Sequence, residues 1–325
     1  MTAKDNTGTK RPLIILTGPT AVGKTALSIG LAKAIQGEII SADSMQVYRG
    51  MDIGTAKITK EQMDGVPHHL IDIMDPSDNF HVMAFQQKCK EAMEDIYARH
   101  KIPILVGGTG FYIQSVLYDI SFTETDTDIE YRQKLQKIAE EQGGYVLHAR
   151  LAKIDPEAAD EIHPNNVKRV IRALEFNHQT GEKISIHNEQ ERQKKSPYQF
   201  RYYVLSLPRE ILYDRINRRV DMMRRDGLVD EVKGLLQQGI TPNMVSMQGL
   251  GYKEIIDALQ GSCSFEEAFE RIKRETRHFA KRQFTWFRRE RDVTWIDKET
   301  YENEDAILRY MIEDLKNAHI LPADQ

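Results

Sequence analysis

The amino-acid sequence predicts an α/β fold in which helices flank a parallel sheet and a helical subdomain interrupts the chain. Short apolar, β-branched runs alternate with stretches of helical periodicity in the first third of the sequence. Strand signals are absent from Tyr131 to about Glu191 and return at Tyr202–Leu207. Strand–helix alternation is typical of parallel sheets with right-handed crossovers. A length of 325 residues favours about two domains.

The first strand leads into a glycine-rich loop. Ile14–Leu16 has the composition of a buried strand, Gly18–Thr25 reads GPTAVGKT, and Ala26–Ile35 has a helical pattern. This strand, loop and helix match the phosphate-loop motif G-x-x-x-x-G-K-[ST], so the predicted class is a P-loop NTPase-like sheet. Backbone N–H groups of such a loop bind phosphate, Lys24 adds a point charge, and the Thr25 hydroxyl can bind Mg²⁺. The motif does not say whether the phosphates belong to a nucleotide.

The other elements follow from the same periodicities. Apolar runs bounded by turn residues predict strands, and apolar residues at helical spacing predict helices. In the first part of the chain we predict strands at Gly37–Ala42, Pro67–Asp72 and Ile102–Val106, with helices at His81–His100 and from Phe111. In the last part we predict strands at Tyr202–Leu207 and Val293–Ile296, with helices from Pro208, at Ser264–Arg289 and at Glu304–Lys316.

The pattern changes near Asp119, where the insertion is expected to begin. Ser121–Glu130 is polar and acidic, and the chain after it looks helical in short pieces. We therefore expect residues 1–120 and 201–325 to form the α/β core and residues 121–200 to form an all-helical subdomain.

Composition excludes several classes of protein. The net charge is −4, so any affinity for nucleic acid must come from a local patch. The two cysteines, Cys89 and Cys263, form no metal-binding spacing and fit a reducing compartment. Met1–Arg11 has no apolar core, and no stretch of about 18 apolar residues occurs. We expect a cytoplasmic monomer that does not enter a membrane.

Two side chains follow predicted strands at the edge where ligands bind in open α/β sheets. Asp43 comes after the second strand, and Thr109 lies in GGTG after the strand IPILV. Asp43 can act as a general base or as a Mg²⁺ ligand, or it can simply cap a turn. Thr109 can hold a phosphate oxygen, or it can belong to a structural turn. The lack of an acidic residue after IPILV argues against ordinary ATP hydrolysis.

The segment from Arg271 to Arg291 is strongly cationic. It has nine Lys and Arg residues against two Glu, with Phe284, Trp286 and Phe287 among them. Cations for phosphates and rings for unstacked bases are typical of single-stranded RNA recognition. The alternative is a charged helix with a core-facing aromatic stripe, which does not explain the one-sided charge.

Two further groups of cations have open interpretations. Lys168, Arg169 and Arg172 are predicted either to contact a polyanion or to form a solvated helix face. Five arginines follow the strand Tyr202–Leu207, and arginine can neutralise a departing phosphate group. Spacing alone does not decide which of them reaches the phosphate loop: Arg215, Arg218, Arg219, Arg224 and Arg225.

Seven segments together resemble the bacterial tRNA dimethylallyltransferase family. They occur in the family's order between about Leu13 and Arg289: GPTAVGKT, ISADSMQVYRGMDIGTAK, VPHHLID, LVGGTGFY, HPNNVKRVIRALE, MQGLGYKEI and KRQFTWFR. The resemblance implies transfer of a dimethylallyl group from its diphosphate to N6 of adenosine 37, beside the anticodon of tRNA. It also implies that Mg²⁺ assists and that the phosphate loop binds the prenyl diphosphate in place of ATP.

The resemblance also assigns roles to individual residues. It implies that Asp43 is the base, that Thr109 helps to hold the diphosphate, and that Arg219 is the pyrophosphate-binding arginine. The prenyl diphosphate site would comprise Gly18, Pro19, Thr20, Ala21, Val22, Gly23, Lys24 and Thr25, with Thr25 as metal ligand. The residues implied to contact the tRNA anticodon stem-loop are Asp43, Ser44, Met45, Gln46, Lys168, Arg169, Val170, Ile171, Arg172, Gln248, Gly249, Leu250, Gly251, Tyr252, Lys253, Lys281, Arg282, Gln283, Phe284, Thr285, Trp286, Phe287 and Arg288.

Two other classes share some of these features. A small-molecule kinase would have the phosphate loop and the sheet, but the cationic aromatic segment would have no role in it. A non-catalytic RNA-binding or nucleotide-switch protein would bind RNA without changing its mass. Transfer of a labelled prenyl group to RNA without ATP distinguishes the transferase from both.

Overall fold

The computed structural model describes residues 10–122 and 128–322 of the chain. Part of the acidic stretch Ser121–Glu130 and most of the polar segment Met1–Arg11 lie outside the described residues. The described residues form two compact units, one within residues 1–117 and 197–325 and the other within residues 118–196.

The larger unit contains a six-stranded sheet in which every strand is parallel to its neighbours. The strand order is β3-β2-β4-β1-β5-β6. The strands are β1 Pro12–Thr17, β2 Glu38–Ala42, β3 His68–His69, β4 Pro103–Gly107, β5 Gln199–Ser206 and β6 Val293–Asp297. The predicted P-loop NTPase-like α/β class is confirmed, and the sheet aligns the carboxyl ends of its central strands.

The third strand is shorter than the predicted Pro67–Asp72. It pairs only with β2, because it lies at the edge of the sheet. Beyond it the backbone leaves the extended region, since φ is +62° at Leu70 and +54° at Asp72. The apolar pattern therefore predicted a longer strand than the backbone forms.

Nine helices of the larger unit's described residues surround this sheet. They are α1 Lys24–Ile35, α2 Lys60–Met63, α3 Val82–Ala98, α4 Gly110–Leu117, α10 Arg209–Arg225, α11 Leu228–Gln237, α12 Tyr252–Leu259, α13 Phe265–Phe287 and α14 Glu304–Asn317. The longest, α13, begins at a capping box in which the Ser264 hydroxyl accepts from the Glu267 N–H at 3.2 Å and Glu267 bonds back to Ser264. Single turns of 3₁₀ helix occur at Ser246–Gln248 and Lys298–Thr300.

The core of the larger unit lies against the central strand. Leu13–Leu16 is completely buried, as expected for a strand covered on both faces. Ile14 and Leu16 belong to an apolar cluster with residues of α1, α10 and α14, among them Leu31, Ile216 and Met311. This packing fixes the strand whose end carries the phosphate loop.

The smaller unit is entirely helical over its described residues, as predicted. Its helices are α5 Ile129–Gln142, α6 Gly144–Ile154, α7 Pro156–Glu161, α8 Val167–Thr180 and α9 Ile184–Gln193. Leu147, Leu151 and Leu174 lie in its separate core. Asp155 caps α7 and also accepts the Ser185 N–H at 2.9 Å, which ties α9 to it.

No helix within the described residues has the length and apolar character needed to span a bilayer.

Candidate active site

The phosphate loop joins β1 to α1 and adopts an unusual backbone. Its φ angles are +144° at Gly18, +65° at Ala21 and +96° at Gly23. A positive φ at a residue with a side chain is strained and is often found at functional sites. The Lys24 ammonium donates to the carbonyl oxygens of Gly18 and Pro19, both at 2.9 Å. The loop therefore closes around its own lysine.

The lysine is in an environment that disfavours its charge. Burial and the nearby Arg219 guanidinium lower the pKa of Lys24 to about 7, and the Asp43 carboxylate opposes this effect. Burial likewise lowers the pKa of Arg219, again opposed by Asp43. Two desolvated cations beside a helix N-terminus gain stability when an anion binds between them.

Two of the five candidate arginines reach the phosphate loop. Arg219 donates to the Thr20 hydroxyl at 3.3 Å. Arg215, one helical turn earlier, brings a guanidinium nitrogen to 3.7 Å from the position that a Cβ of residue 23 would occupy. Arg218 and Arg224 form ion pairs with Asp214 and Glu266, and Arg225 donates to the Asp221 carbonyl oxygen. The structure thus places Arg219 at the loop and adds Arg215, which spacing did not single out.

Asp43 and Thr109 lie side by side at the ends of adjacent strands. Ala42 pairs with Gly107 in the ladder, and the Thr109 N–H donates to the Ala42 carbonyl at 3.3 Å. A Cβ at residue 107 would lie 2.2 Å from that carbonyl oxygen, so only glycine allows this close approach. The charge of Asp43 acts on both Lys24 and Arg219. The loop, the carboxylate and the arginine therefore converge at one edge of the sheet.

The Asp43 carboxylate has a structural partner on one oxygen only. Oδ1 accepts the N–H groups of Met45 at 2.8 Å and Gln46 at 3.3 Å, so the turn cap that the sequence left open does occur. Oδ2 has no hydrogen bond to any described residue. One oxygen thus orients the side chain, and the other is available for chemistry.

The segment after Asp43 is held by a residue that sequence reasoning missed. One carboxylate oxygen of Glu231, in α11, accepts from Asp52 at 2.9 Å and Ile53 at 2.7 Å, and the other from Gly54 at 3.1 Å. The buried Tyr252 hydroxyl also donates to Glu231, at 2.7 Å. The only signal in the sequence is a glutamate in an apolar pattern, because the backbone N–H groups that it binds are nearly 180 positions away.

The cations of Arg271–Arg291 divide into two groups. The first half is engaged: Arg271 pairs with Asp257 at 3.0 Å and Lys273 with Asp221 at 2.8 Å. In contrast, Lys281, Arg282 and Arg288 are exposed and have no ion pair with any described residue. The part of the segment available to phosphates is therefore its second half.

Several residues implied to contact RNA have buried side chains. Tyr252, Phe287, Val170, Ile171 and Gln283 lie in the cores of their units. All five side chains pack against protein in this structure. The exposed cations of α8, which are Lys168, Arg169 and Arg172, lie on its solvated side.

A divalent metal fits the chemistry of this site. Thr25 is exposed in the first turn of α1, and Asp43 supplies a carboxylate at the same sheet edge. No cluster of three or more His, Cys, Asp or Glu side chains suited to a metal occurs among the described residues. Mg²⁺ commonly binds through one or two protein oxygens together with phosphates and water. The residues thus suit Mg²⁺ brought with a phosphorylated ligand.

Comparisons with known proteins agree on one family. Residues 46–290 match the model of the family described as IPP transferase. The chain is 57% identical over 311 residues to a tRNA dimethylallyltransferase of Lachnoclostridium phytofermentans, covering 96% of this chain and 99% of the relative. It is 51% identical over 302 residues to a tRNA dimethylallyltransferase of Bacillus cereus, covering 93% and 95%.

Solved structures are similar over nearly the whole chain. One is a tRNA isopentenylpyrophosphate transferase from Bacillus halodurans, with a TM-score of 0.71, 46% identity, and coverage of 95% of this chain and 98% of that one. Another is a eukaryotic dimethylallyltransferase acting on tRNA, with a TM-score of 0.81, 31% identity, and coverage of 97% and 81%.

Proposed function

The chain belongs to the IPP transferase family, and we propose that it transfers a dimethylallyl group from dimethylallyl diphosphate to N6 of adenosine 37 in tRNA, with release of diphosphate. The observation that carries this proposal is the convergence of three groups at one edge of the sheet. They are the phosphate loop, Arg219 bonded to Thr20 of that loop, and Asp43 with one unbonded oxygen. The phosphate loop and Arg219 form an anion-binding site, called here the cradle, that can stabilise the departing diphosphate. Asp43 beside it can accept the proton that the amine loses.

The donor half of the reaction is assigned to the phosphate loop. As the bond between the allylic carbon and its oxygen breaks, the electron pair leaves with the diphosphate. Lys24 and Arg219, together with loop N–H groups, stabilise the growing negative charge. Thr109, whose N–H donates to the Ala42 carbonyl beside Asp43, is assigned to help hold the diphosphate. Mg²⁺ held by the Thr25 hydroxyl would add positive charge to the same oxygens.

The acceptor half is assigned to Asp43. The amine N6 forms the new bond to the allylic carbon and loses a proton, which Oδ2 of Asp43 accepts. Oδ1 keeps the side chain oriented through Met45 and Gln46 while this occurs. The adenine must leave its stack to reach this position.

Exposed cations on both units support RNA as the acceptor. Lys168 and Arg169 lie in the first turn of α8, where the helix dipole favours acidic side chains. Cations placed against the dipole lower helix stability, and binding of an RNA phosphate offsets that cost. We therefore assign tRNA binding to the helical unit as well as to Lys281, Arg282 and Arg288.

We propose that one chain is sufficient and that the enzyme works in the cytoplasm as a monomer. The described residues of a single chain provide the cradle, the base and the cationic surface. A tRNA substrate is consistent with that compartment.

The experiment is prenyl transfer by the purified chain. The chain is incubated with unmodified tRNA, Mg²⁺ and labelled dimethylallyl diphosphate, without ATP. The RNA is then digested, and the masses of its nucleosides are measured by mass spectrometry. One adenosine heavier by a single prenyl group supports the proposal. Phosphorylation of a nucleotide without label in RNA would favour a kinase, and RNA binding without a mass change would favour a non-catalytic protein.

A further inference from the structure

The side-chain amide of Gln283 joins two loops of the candidate site. Its Oε1 accepts the Thr20 N–H of the phosphate loop at 2.9 Å. Its Nε2 donates to the Gly108 carbonyl of the GGTG loop at 3.0 Å. Thr20 offers a donor and Gly108 an acceptor, so only one orientation of the amide satisfies both. The amide thus connects the loop after β1 to the loop after β4.

The surroundings of Gln283 are built to hold it in place. The side chain is only 6% exposed, and it lies on the same buried face of α13 as Ala280 and Phe287. A Cβ at residue 108 would lie 2.2 Å from its Nε2, so glycine at that position makes room for the amide. Breaking either hydrogen bond would leave a buried polar group without a partner, which costs free energy.

Thr20 is held from two directions. Gln283 accepts its N–H, and Arg219 donates to its hydroxyl. The opposite side of α13 presents exposed Lys281 and Arg282. A single helix therefore supports the phosphate loop on one face and offers cations to solvent on the other.

We propose that Gln283 is a positioning residue that holds the phosphate loop and the GGTG loop in the shape that binds the donor diphosphate, and that it makes no contact with RNA. This inference rests on the proposed function for the identity of the donor. Gln283 would thus act on binding of the prenyl diphosphate, although its neighbours Lys281 and Arg282 are assigned to tRNA binding. Loss of the amide weakens diphosphate binding and leaves RNA affinity unchanged.

The test compares two substitutions of Gln283. Gln283→Leu removes both hydrogen bonds at similar volume. Its affinity for inorganic pyrophosphate with Mg²⁺, measured by calorimetry, should fall roughly tenfold, which corresponds to about 1.4 kcal/mol. Gln283→Glu keeps an acceptor for Thr20 but turns an oxygen towards the Gly108 carbonyl, so it should also weaken pyrophosphate binding. For both variants the Kd for tRNA should stay within about twofold of the parent, because no cation has been removed.

Two further variants separate positioning from general damage. Thr276→Ala is the matched control, since Thr276 lies on the same helix, belongs to neither the diphosphate nor the tRNA set, and its hydroxyl bonds only the Ile272 carbonyl. It should change neither affinity. Gly108→Ala inserts a Cβ against the amide and should reproduce the loss of pyrophosphate affinity. The double variant with Gln283→Leu should be no worse than either single one, since both disrupt the same hydrogen-bonded link.

The two binding measurements test the role of Gln283 independently of whether the chain prenylates RNA. Weaker tRNA binding with unchanged pyrophosphate binding would overturn it and return Gln283 to the RNA interface. Parental affinities in Gln283→Glu and Gly108→Ala would also overturn it, even if Gln283→Leu failed to fold. Because pyrophosphate binding needs no turnover, the result stands on its own if the parent chain proves unable to prenylate RNA.

Discussion

Asp43 combines a structural bond and a chemical role in one carboxylate. Its Oδ1 caps the turn at Met45 and Gln46, while Oδ2 has no partner among the described residues. The two roles can be separated because Asn keeps the capping oxygen and lacks the basic one.

Asp43→Asn should therefore fold like the parent and bind tRNA almost normally, while turnover falls by a factor on the order of 10² or more. Single-turnover prenyl transfer with saturating donor measures the loss. Asp43→Ala should show the same chemical defect and an added loss of stability from the missing cap. Parental turnover in the Asn variant would remove Asp43 from the mechanism.

Lys24 contributes charge and shape to the phosphate loop. Its ammonium bonds two loop carbonyls, at Gly18 and Pro19. Lys24→Ala should raise the KM for the prenyl donor and lower kcat, because both donor binding and leaving-group stabilisation depend on that charge. Steady-state kinetics with varied donor measure both constants.

Lys33→Ala is the matched control for that substitution, since Lys33 lies in the last turn of the same helix and pairs with Asp64. It should leave both constants unchanged. Normal donor kinetics in Lys24→Ala would contradict the role of the phosphate loop.

At the scale of an element, β2 is anchored by a buried ion cluster at its first residue. Glu38 is 2% exposed and accepts hydrogen bonds from His69 at 2.8 Å, Arg99 at 2.7 Å and Lys101 at 2.9 Å. Burial raises the pKa of Glu38, but these three partners outweigh it and lower the pKa to about 2. The folded state therefore binds the proton of Glu38 more weakly than the unfolded chain does.

The sign of this effect predicts an acid-dependent stability. A carboxyl with a depressed folded pKa stabilises the protein above its unfolded pKa, and the stabilisation disappears as pH falls through the folded value. Glu38→Gln should lower the free energy of unfolding at pH 7 by about 1–3 kcal/mol, since its partners are partly solvated. Urea unfolding should show the difference from the parent shrinking below about pH 4.5 and vanishing near pH 2.

Glu94→Gln provides the comparison, because Glu94 pairs with Arg11 nearer the surface and is 40% exposed. Its effect on the free energy of unfolding at pH 7 should be smaller than that of Glu38→Gln. A constant difference between parent and Glu38→Gln down to pH 3 would contradict the ion cluster.

The helix α13 carries the next prediction. Replacing Lys281 and Arg282 by Gln should weaken tRNA binding and flatten its dependence on salt, by up to roughly one log–log unit for each cation that no longer pairs with an RNA phosphate. Binding is measured from low to moderate salt. Arg274→Gln serves as control, since Arg274 is already paired with Glu275. Equal slopes for the double variant and the parent would place Lys281 and Arg282 on a solvated face.

The sequence predicted those helices and strands that are determined by a local pattern of residues. The apolar run of β1 and the phosphate-loop motif predicted the central strand, its loop and α1, with boundaries within two residues. No element was predicted between Met223 and Ser264, although Leu228, Val232 and Leu235 are spaced as a helix requires and lie buried in α11. That signal was present in the sequence.

At the scale of the whole molecule, the missing information was contact between distant residues. Gln283 is 263 positions from Thr20, and Glu231 is 177 positions from Gly54. No local pattern shows that these side chains support the phosphate loop and the segment after Asp43. The sequence likewise does not show which cations of Arg271–Arg291 are free to bind phosphate. In the folded chain, cations of the first half pair with acidic side chains, as Arg271 does with Asp257 and Lys273 with Asp221.

The central claim is that one sheet edge brings a leaving diphosphate and an accepting carboxylate together. The most direct measurement is a crystal structure of the chain with a non-reactive prenyl thiodiphosphate, Mg²⁺ and an anticodon stem-loop. We predict diphosphate oxygens on the N–H groups of Gly18–Thr25, within hydrogen-bond distance of Lys24 and Arg219, and the adenine N6 within reach of Asp43. A diphosphate bound elsewhere, or an adenine N6 far from Asp43, would contradict the account.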